Sequence, residues 1–290
     1  MNASGYKIVT LANGVQSVHS LAHGETFHPV IGPVAEAEAL YVKQIRLVDR
    51  VRTHAGEFVV WDVGLGAAAN VLTVLRATRG ISCSIRLISF DRTVEPLRFA
   101  LRHAESLGYL AGYERVLQAL LERHQVSFCD AGQGVTWELH CGDFPTSLLK
   151  PRACQPPRPH AILFDAFSPA TNPEMWTLDL FSNLFRLLDP GRPCVVPTYS
   201  RSTMLRVTLL LAGFYVGAGH ATGEKEETTL AANSLELVGE PLDGHWLQRA
   251  RRSTSAEPLR APVYRQARLA PETWERLQAH PQFAGTRRHK

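Results

Sequence analysis

Apolar and polar positions along this chain follow two periods, and the order of those periods predicts its elements. Lys7-Ile8-Val9-Thr10-Leu11 and Val15-Gln16-Ser17-Val18 flank Asn13-Gly14. Asn-Gly between apolar runs is a strong hairpin signal, because both residues accept the left-handed backbone of a tight turn. A loop is predicted at residues 19–28. Residues 33–52 then place Val34, Ala37, Leu40, Tyr41, Ile45 and Val48 at helical spacing, with Pro33 suited to the first turn. Phe58-Val59-Val60-Trp61 is a short β-branched and aromatic run, which reads as a buried strand, and Val71, Leu72, Val74 and Leu75 continue as a helix. The alternation repeats. Strands are predicted at residues 85–90, 135–141, 160–164 and 193–198, and helices at 94–107, 113–124, 176–188 and 202–211. Phe214-Tyr215-Val216 and residues 227–238, broken at Asn233, read as two late strands. This order predicts an α/β fold: a mostly parallel sheet with an antiparallel late strand, helices on both faces, and a small N-terminal hairpin and helix extension. The expected divisions are residues 1–54 for the extension, 55–240 for the α/β domain and 241–290 for a basic C-terminal segment.

Composition narrows the class. With 290 residues the chain can bury one full core, with or without a small appendage. No apolar run is long enough to cross a bilayer, and the N-terminus lacks the basic start and apolar stretch of a secretion signal. Five cysteines without a C-x-x-C pair suggest thiols in a reducing compartment, so a cytoplasmic location is expected. The net charge of +4 allows an acidic partner without requiring one. After Glu240 the chain is basic and proline-dotted, with Arg249, Arg251, Arg252, Arg260, Arg265 and Arg268 ahead of Arg287-Arg288-His289-Lys290. It reads either as a solvated tail or as a strip for nucleic-acid phosphates. His19, His23 and His28 are loosely spaced, with no cysteine or acid pair to complete a shell, so no metal is expected. Glu25 and His28 are read instead as lining a cleft beside the glycine turn described next.

That turn carries the first candidate chemistry. The strand at Phe58 runs into Asp62, then Gly64-Leu65-Gly66, three alanines and Asn70. Glycines let the backbone turn tightly and pass close to a ligand, and the following helix presents free N–H groups. Two ligand classes use such a turn. A dinucleotide wants G-x-G-x-x-G, a pattern loosely met because Ala69 takes the third glycine's place. S-adenosylmethionine lays its methionine moiety against the same turn. Both use an acid at the end of the next strand, here Asp91, so Asp91 does not separate them. Candidate cofactor contacts are Asp62, Gly64, Gly66, Asn70, Asp91 and Glu25, with Asp143 after Gly142 placed to meet an adenine amine. The second informative stretch follows the strand at 160–164: Asp165, then Ala166-Phe167-Ser168-Pro169-Ala170-Thr171-Asn172-Pro173-Glu174-Met175-Trp176. Ligands bind at the carboxyl edge of an open α/β sheet, where this stretch is predicted to lie.

The twelve residues from Asp165 to Trp176 resemble the D-G/A-F-S/A-P-x-x-N-P-x-M/L-W signature of MnmC-type methyltransferases, which form 5-methylaminomethyl-2-thiouridine in tRNA. Gly64-Leu65-Gly66-Ala67-Ala68-Ala69-Asn70 is similar to that family's G-x-G-T-G-x-N motif, Ser89-Phe90-Asp91 to its S-F-E/D strand end, and residues 20–28 to its S-x-x-Y-G-E-x-x-H segment. The resemblance implies a class I, Rossmann-like methyltransferase that uses S-adenosylmethionine. The implied acceptor is the exocyclic amine of 5-aminomethyl-2-thiouridine at the wobble position, in the anticodon loop. In many bacteria the domain is fused to a flavin-dependent oxidase; a chain of this length has no room for one, so a stand-alone form with a separate flavin oxidase partner is expected. Two stretches depart from the pattern. Ala67 and Ala68 replace Thr-Gly, and Gly223-Glu224-Lys225-Glu226-Glu227 is acidic where relatives often carry G-x-K-R-E.

The chemistry follows from residue types. Methyl transfer to an amine is an in-line displacement that needs a neutral lone pair, and alkylamines titrate near about 10. A carboxylate at the reaction edge can orient the ammonium and accept its proton, and Asp165 is the choice for that role. Phe167 and Trp176 are candidates to stack on a flipped uracil, or else are core residues; Pro169, Asn172 and Tyr199 are further candidates for the substrate pocket. A small-molecule amine methyltransferase of the same fold and a non-enzymatic nucleotide-binding module are the alternatives.

Overall fold

The computed structural model describes residues 5–222 and 226–288; part of the acidic late loop, residues 223–225, and His289-Lys290 lie outside the described residues. The chain forms two compact units: Met1–Phe144 with Ala161–Asp165 and His220–Glu226, and Pro145–His160 with Ala166–Gly219 and Glu227–Lys290.

The first unit begins with the hairpin, β1 (Tyr6–Thr10) against β2 (Gln16–Ser20), turned at Gly14 with φ 83°. A third short strand, β3 (Glu25–Thr26), pairs with β2 inside the stretch expected to be loop. The helix expected over 33–52 comes in pieces. α1 (Pro33–Ala37) widens into a π-turn at Glu38–Lys43, and α2 (Leu47–Thr53) restarts after Arg46, whose φ is 51°. Leu40, Tyr41 and Val42 are consecutive and all buried, more than one stripe of a regular helix could bury.

β4 (Glu57–Val63) is buried from Phe58 onward, which explains its unbroken apolar run. It is followed by α3 (Ala69–Thr78), β5 (Ser84–Asp91), α4 (Glu95–Arg102), α5 (Ala104–Leu107) and α6 (Glu114–Arg123). Two more strands follow, β6 (Gln125–Asp130) and β7 (Gln133–Cys141). β6 was not expected. It pairs antiparallel with β7 across Ala131-Gly132, both with positive φ, the backbone that a two-residue hairpin turn requires. α7 (Phe144–Ser147) comes next, and β8 (Ala161–Phe164) completes the unit's sheet in the order β8-β4-β5-β7-β6, parallel except for β6. The carboxyl ends of β8, β4, β5 and β7 therefore share one edge.

In the second unit a 3-10 turn (Pro173–Trp176) leads to α8 (Leu178–Leu187), whose N-cap Thr177 accepts from the Leu180 N–H at 3.2 Å. β9 (Val195–Thr198), α9 (Thr203–Ala212), β10 (Tyr215–Gly219) and β11 (Thr228–Ala232) follow, with β11 antiparallel to both β9 and β10. The antiparallel late strand is thus present, shorter than the expected 227–238. The C-terminal segment is not a solvated tail. α10 (Gly244–Arg252) and α11 (Pro271–Gln278) are folded helices, and Trp246, Leu247, Ala250, Leu259, Leu277 and Phe283 are buried. No helix among the described residues is long and apolar enough to cross a membrane.

Candidate active site

The site is built at the carboxyl edge of the first unit's sheet, where β4 ends in the glycine turn. Gly64 and Leu65 donate their N–H groups to the Phe90 carbonyl at 2.9 and 3.3 Å, so the turn is tied to the end of β5. Gly64 has φ 96° and Gly66 φ 51°; a Cβ on Gly66 would come 3.2 Å from the Phe27 ring. The left-handed backbone favours glycine there, and an added Cβ would have to push the Phe27 ring back by a few tenths of an ångström. Ala68 follows with φ 64°, a left-handed conformation at the position where the G-x-G-T-G-x-N motif has glycine.

Asp91 closes the turn from below. One carboxylate oxygen accepts the Gly66 N–H at 2.9 Å and the other the Thr93 N–H at 3.1 Å. Burial pushes the Asp91 carboxyl up, and hydrogen bonds from Gly66, Thr93 and Arg92 oppose the shift. Asp62, at the penultimate position of β4, is fully buried. Its Oδ2 accepts from the Ser89 hydroxyl at 2.8 Å, and the Trp137 indole N–H donates to Ser89 Oγ at 3.0 Å. Asp62 Oδ1 has no hydrogen-bond partner among the described residues. Burial first, then the nearby charges of Asp165 and Asp91, push the Asp62 carboxyl up to about 8, against the Ser89 hydrogen bond.

Asp165 follows β8 as Gly64 follows β4, and the two strands pair in parallel with Val63 opposite Phe164. The Asp165 N–H donates to the Val63 carbonyl at 2.9 Å, which puts the carboxylate on the same edge as the glycine turn. Its Oδ2 accepts from Asn70 Nδ2 at 2.7 Å, so the first turn of α3 orients it. The same oxygen lies 3.6 Å from His28 Nε2, and His28 Nδ1 lies 3.7 Å from Glu36 Oε1. Asp165, His28 and the buried Glu36 of α1 thus form a carboxylate–imidazole–carboxylate row. Asp143 lies two residues past the end of β7 and pairs with Arg92 at 2.6 Å. Glu25 sits in β3 opposite Ser20.

The remaining candidates are in the second unit. Trp176 is fully buried and its indole N–H donates to the Phe167 carbonyl at 2.7 Å, which leaves no open ring face for a base. It positions the Phe167 backbone instead. Tyr199 is half-buried, meets Trp176 edge-on, and donates its hydroxyl to the Ala166 carbonyl at 3.0 Å. Phe167 and Pro169 are half-buried, and the Asn172 amide faces the Glu174 carboxylate at 2.9 Å. The three histidines do not converge: His19 meets Thr26, His23 meets Ser20, and His28 faces Asp165. Among the described residues no group of three His, Cys, Asp or Glu side chains could hold a metal ion.

Glu36 and the Ser89–Trp137 pair were not among the sequence candidates. For Glu36 a signal existed: it is a carboxylate on the apolar stripe of Pro33, Ala37 and Leu40, where a solvated charge has no place.

Residues 109–234 match the model of a family described as S-adenosyl-L-methionine-dependent methyltransferase. The chain is 29% identical over 230 residues to the tRNA 5-methylaminomethyl-2-thiouridine biosynthesis bifunctional protein MnmC of Methylibium petroleiphilum, covering 77% of this chain and 34% of that protein. The protein of the same name from Aeromonas hydrophila is 29% identical over 249 residues, covering 78% and 35%. The chain thus spans about one third of the length of these curated relatives. The crystal structure of MNMC2 from Aquifex aeolicus shares the fold, with a TM-score of 0.69 at 22% identity over 96% of this chain and 84% of that one. Of the two nucleotide classes left open by the glycine turn and Asp91, the matching family's description names S-adenosyl-L-methionine. The chain has a Rossmann-like α/β fold and is similar over residues 109–234 to S-adenosyl-L-methionine-dependent methyltransferases.

Proposed function

We propose that this chain methylates the exocyclic amine of 5-aminomethyl-(2-thio)uridine at the wobble position of tRNA, with Asp165 as the group that receives the amine. The reading is supported by the relatives' printed names and, at the level of residues, by one observation: Asp165 stands beside the glycine turn, held by Asn70 at 2.7 Å and backed by His28. When bound, S-adenosylmethionine supplies an electrophilic methyl group. Its proposed seat is the turn at Gly64 and Gly66, whose positive φ lets the backbone bend tightly, with Asp91 assigned to the ribose hydroxyls and Asp143 to the adenine amine. Asn70 and Asp62 line the same turn, and Glu25 is assigned the mouth of the cleft.

The amine arrives largely protonated near neutral pH. Asp165 holds the ammonium and takes its proton directly or through water, which frees the lone pair. His28 stands 3.6 Å behind that carboxylate, and Glu36 3.7 Å behind His28. Most of the rate gain comes from holding nucleophile and methyl in line, a task suited to a carboxylate fixed at both its backbone and its side chain. Phe167, Pro169, Asn172 and Tyr199 are assigned to the wobble base. A flavin-dependent oxidase that delivers the free amine is the proposed partner, and a cytoplasmic location goes with a tRNA acceptor.

The test is nucleoside mass spectrometry of tRNA, taken from a strain lacking the activity and incubated with the protein and methyl-labelled S-adenosylmethionine. Label in 5-methylaminomethyl-2-thiouridine is expected; label confined to free small amines would favour the small-molecule alternative. An Asp165→Ala variant should keep S-adenosylhomocysteine affinity while kcat falls about 10²–10⁴-fold. Full activity in that variant would remove Asp165 from the mechanism.

A further inference from the structure

The fifty residues after Glu240 hold the chain's positive charge. They carry ten Lys and Arg against four Asp and Glu, while the whole chain is only +4, so the first 240 residues are net negative. The fold sorts these charges further. Asp243 caps α10 by accepting the Trp246 N–H at 2.8 Å, and buried Glu257 accepts the Ala270 N–H and the Thr273 hydroxyl at 3.0 and 2.8 Å. Two of the four acids are therefore turned to structural use. The other two, Glu272 and Glu275, are exposed on α11, which is not a basic face.

The arginines are turned outward. α10 buries Trp246, Leu247 and Ala250 and leaves Arg249, Arg251 and Arg252 exposed. Arg251 lies over the Trp274 ring at 5.0 Å. The amides of Ala256 and Glu257 both donate to the Ala267 carbonyl, at 2.9 and 3.0 Å, and close residues 256–267 into a loop. Its outer part is exposed, including Val263, 64% accessible, and Tyr264, 41% accessible, beside Arg265 and Arg268. Among the described residues no carboxylate lies within ion-pair distance of Arg249, Arg252, Arg265 or Arg268. A hydrogen-bonded loop with an exposed aromatic ring adjacent in sequence to exposed arginines, following directly on a helix with exposed arginines, has the chemistry of a backbone-tracking RNA surface: phosphates for the guanidiniums, an unpaired base for the ring.

We propose that the arginine face of α10 and the loop 256–268 form a docking surface for the RNA backbone, with Tyr264 stacking on an unpaired base. The proposal rests on tRNA being the acceptor and adds the surface that holds it.

Arg249→Gln, Arg252→Gln and Arg265→Gln are combined in one variant, and Tyr264→Ala is made separately. Fluorescence anisotropy follows binding of bulk tRNA between about 50 and 200 mM salt. The triple variant is expected to bind about 10- to 100-fold more weakly at the low-salt end, with the slope of log K against log salt reduced by about two to three. Tyr264→Ala should weaken binding about 5- to 100-fold and leave the slope unchanged. S-adenosylhomocysteine affinity and melting temperature should match the parent in both, which separates loss of the surface from loss of the fold. Equal tRNA affinity and equal slope in parent and triple variant overturn the surface. A parent that binds no tRNA at any salt overturns the acceptor reading on which it rests.

Discussion

A buried carboxylate with one unpartnered oxygen is costly when ionised and cheap when protonated, and Asp62 is such a group. Its folded value of about 8 stands well above an unfolded aspartate near about 3.9. As pH rises from about 4 to 8 the unfolded chain gives up this proton and the folded chain keeps it. Asp62 therefore supports the fold fully below the unfolded value and loses that contribution as pH climbs through the folded one. The loss amounts to at most about 1.4 kcal/mol per pH unit. Asp62→Asn removes the linkage while preserving shape. Urea midpoints measured from pH 5 to pH 8 without cofactor should fall less steeply with pH in Asp62→Asn than in the parent; parallel curves would mean that Asp62 ionises normally. At this scale the sequence was informative about type and blind to environment. Asp62, Asp91 and Asp165 are visible as acids at strand ends, but the Ser89–Trp137 support of Asp62 and the Glu36–His28 support of Asp165 depend on partners distant in the chain.

The strand–turn–helix at residues 57–78 shows what an element can reveal in advance. Glycine periodicity and an apolar run predicted it, and β4, the turn and α3 fall where expected. Ala68 is the irregular position, left-handed and fully buried. Three effects bear on Ala68→Gly. Relief of the left-handed conformation gains about 1–2 kcal/mol. Added backbone freedom in the unfolded chain costs about 0.5–1 kcal/mol. The lost buried methyl costs about 0.8 kcal/mol. They nearly cancel, so Ala68→Gly should unfold within about 1 kcal/mol of the parent. Ala68→Val adds a β-branched side chain where neither backbone nor space allows it, and should lose about 3 kcal/mol or more. Chemical denaturation of the pair checks both; a valine variant as stable as the parent would deny the strain. Other elements were less legible for physical reasons. β6 alternates as a strand should, yet its Ala-Gly turn lacks the Asn-Gly signal and its outward positions are polar. The π-turn after α1 buries three consecutive residues, Leu40, Tyr41 and Val42, a pattern that helical spacing does not predict. α10 and α11 are short, and their few buried residues are matched or outnumbered by charges.

At the scale of the whole chain, position in sequence proves a poor guide to membership in a compact unit. The segment after Glu240 is distant in sequence from β10 and is nevertheless its neighbour. Leu242 donates its N–H to the Val216 carbonyl at 2.9 Å, and Ala218 donates to the Glu240 carbonyl at 3.0 Å. The Gln282 amide spans the same edge: its oxygen accepts the Val216 N–H at 2.8 Å, and its nitrogen donates to the carbonyls of Val216 and Leu242 at 2.7 and 2.9 Å. β10 pairs with β11 along its other side, so these contacts cover an edge that would otherwise present unpaired backbone groups. Gly217 permits the approach, because a Cβ there would clash with the Glu240 carbonyl and the Val238 side chain. A chain ending at Glu240 should therefore lose more than its basic segment. It loses the buried Trp246, Leu247 and Phe283, uncovers the β10 edge, and is expected to aggregate on expression. Gly217→Ala tests the same interface with the full chain present. It should lower stability by about 1–3 kcal/mol, as overpacking does, and speed hydrogen exchange at Leu242 and Ala218 relative to the core of β4. A truncated chain that stays monomeric and melts with the parent would return the segment to the status of a tail.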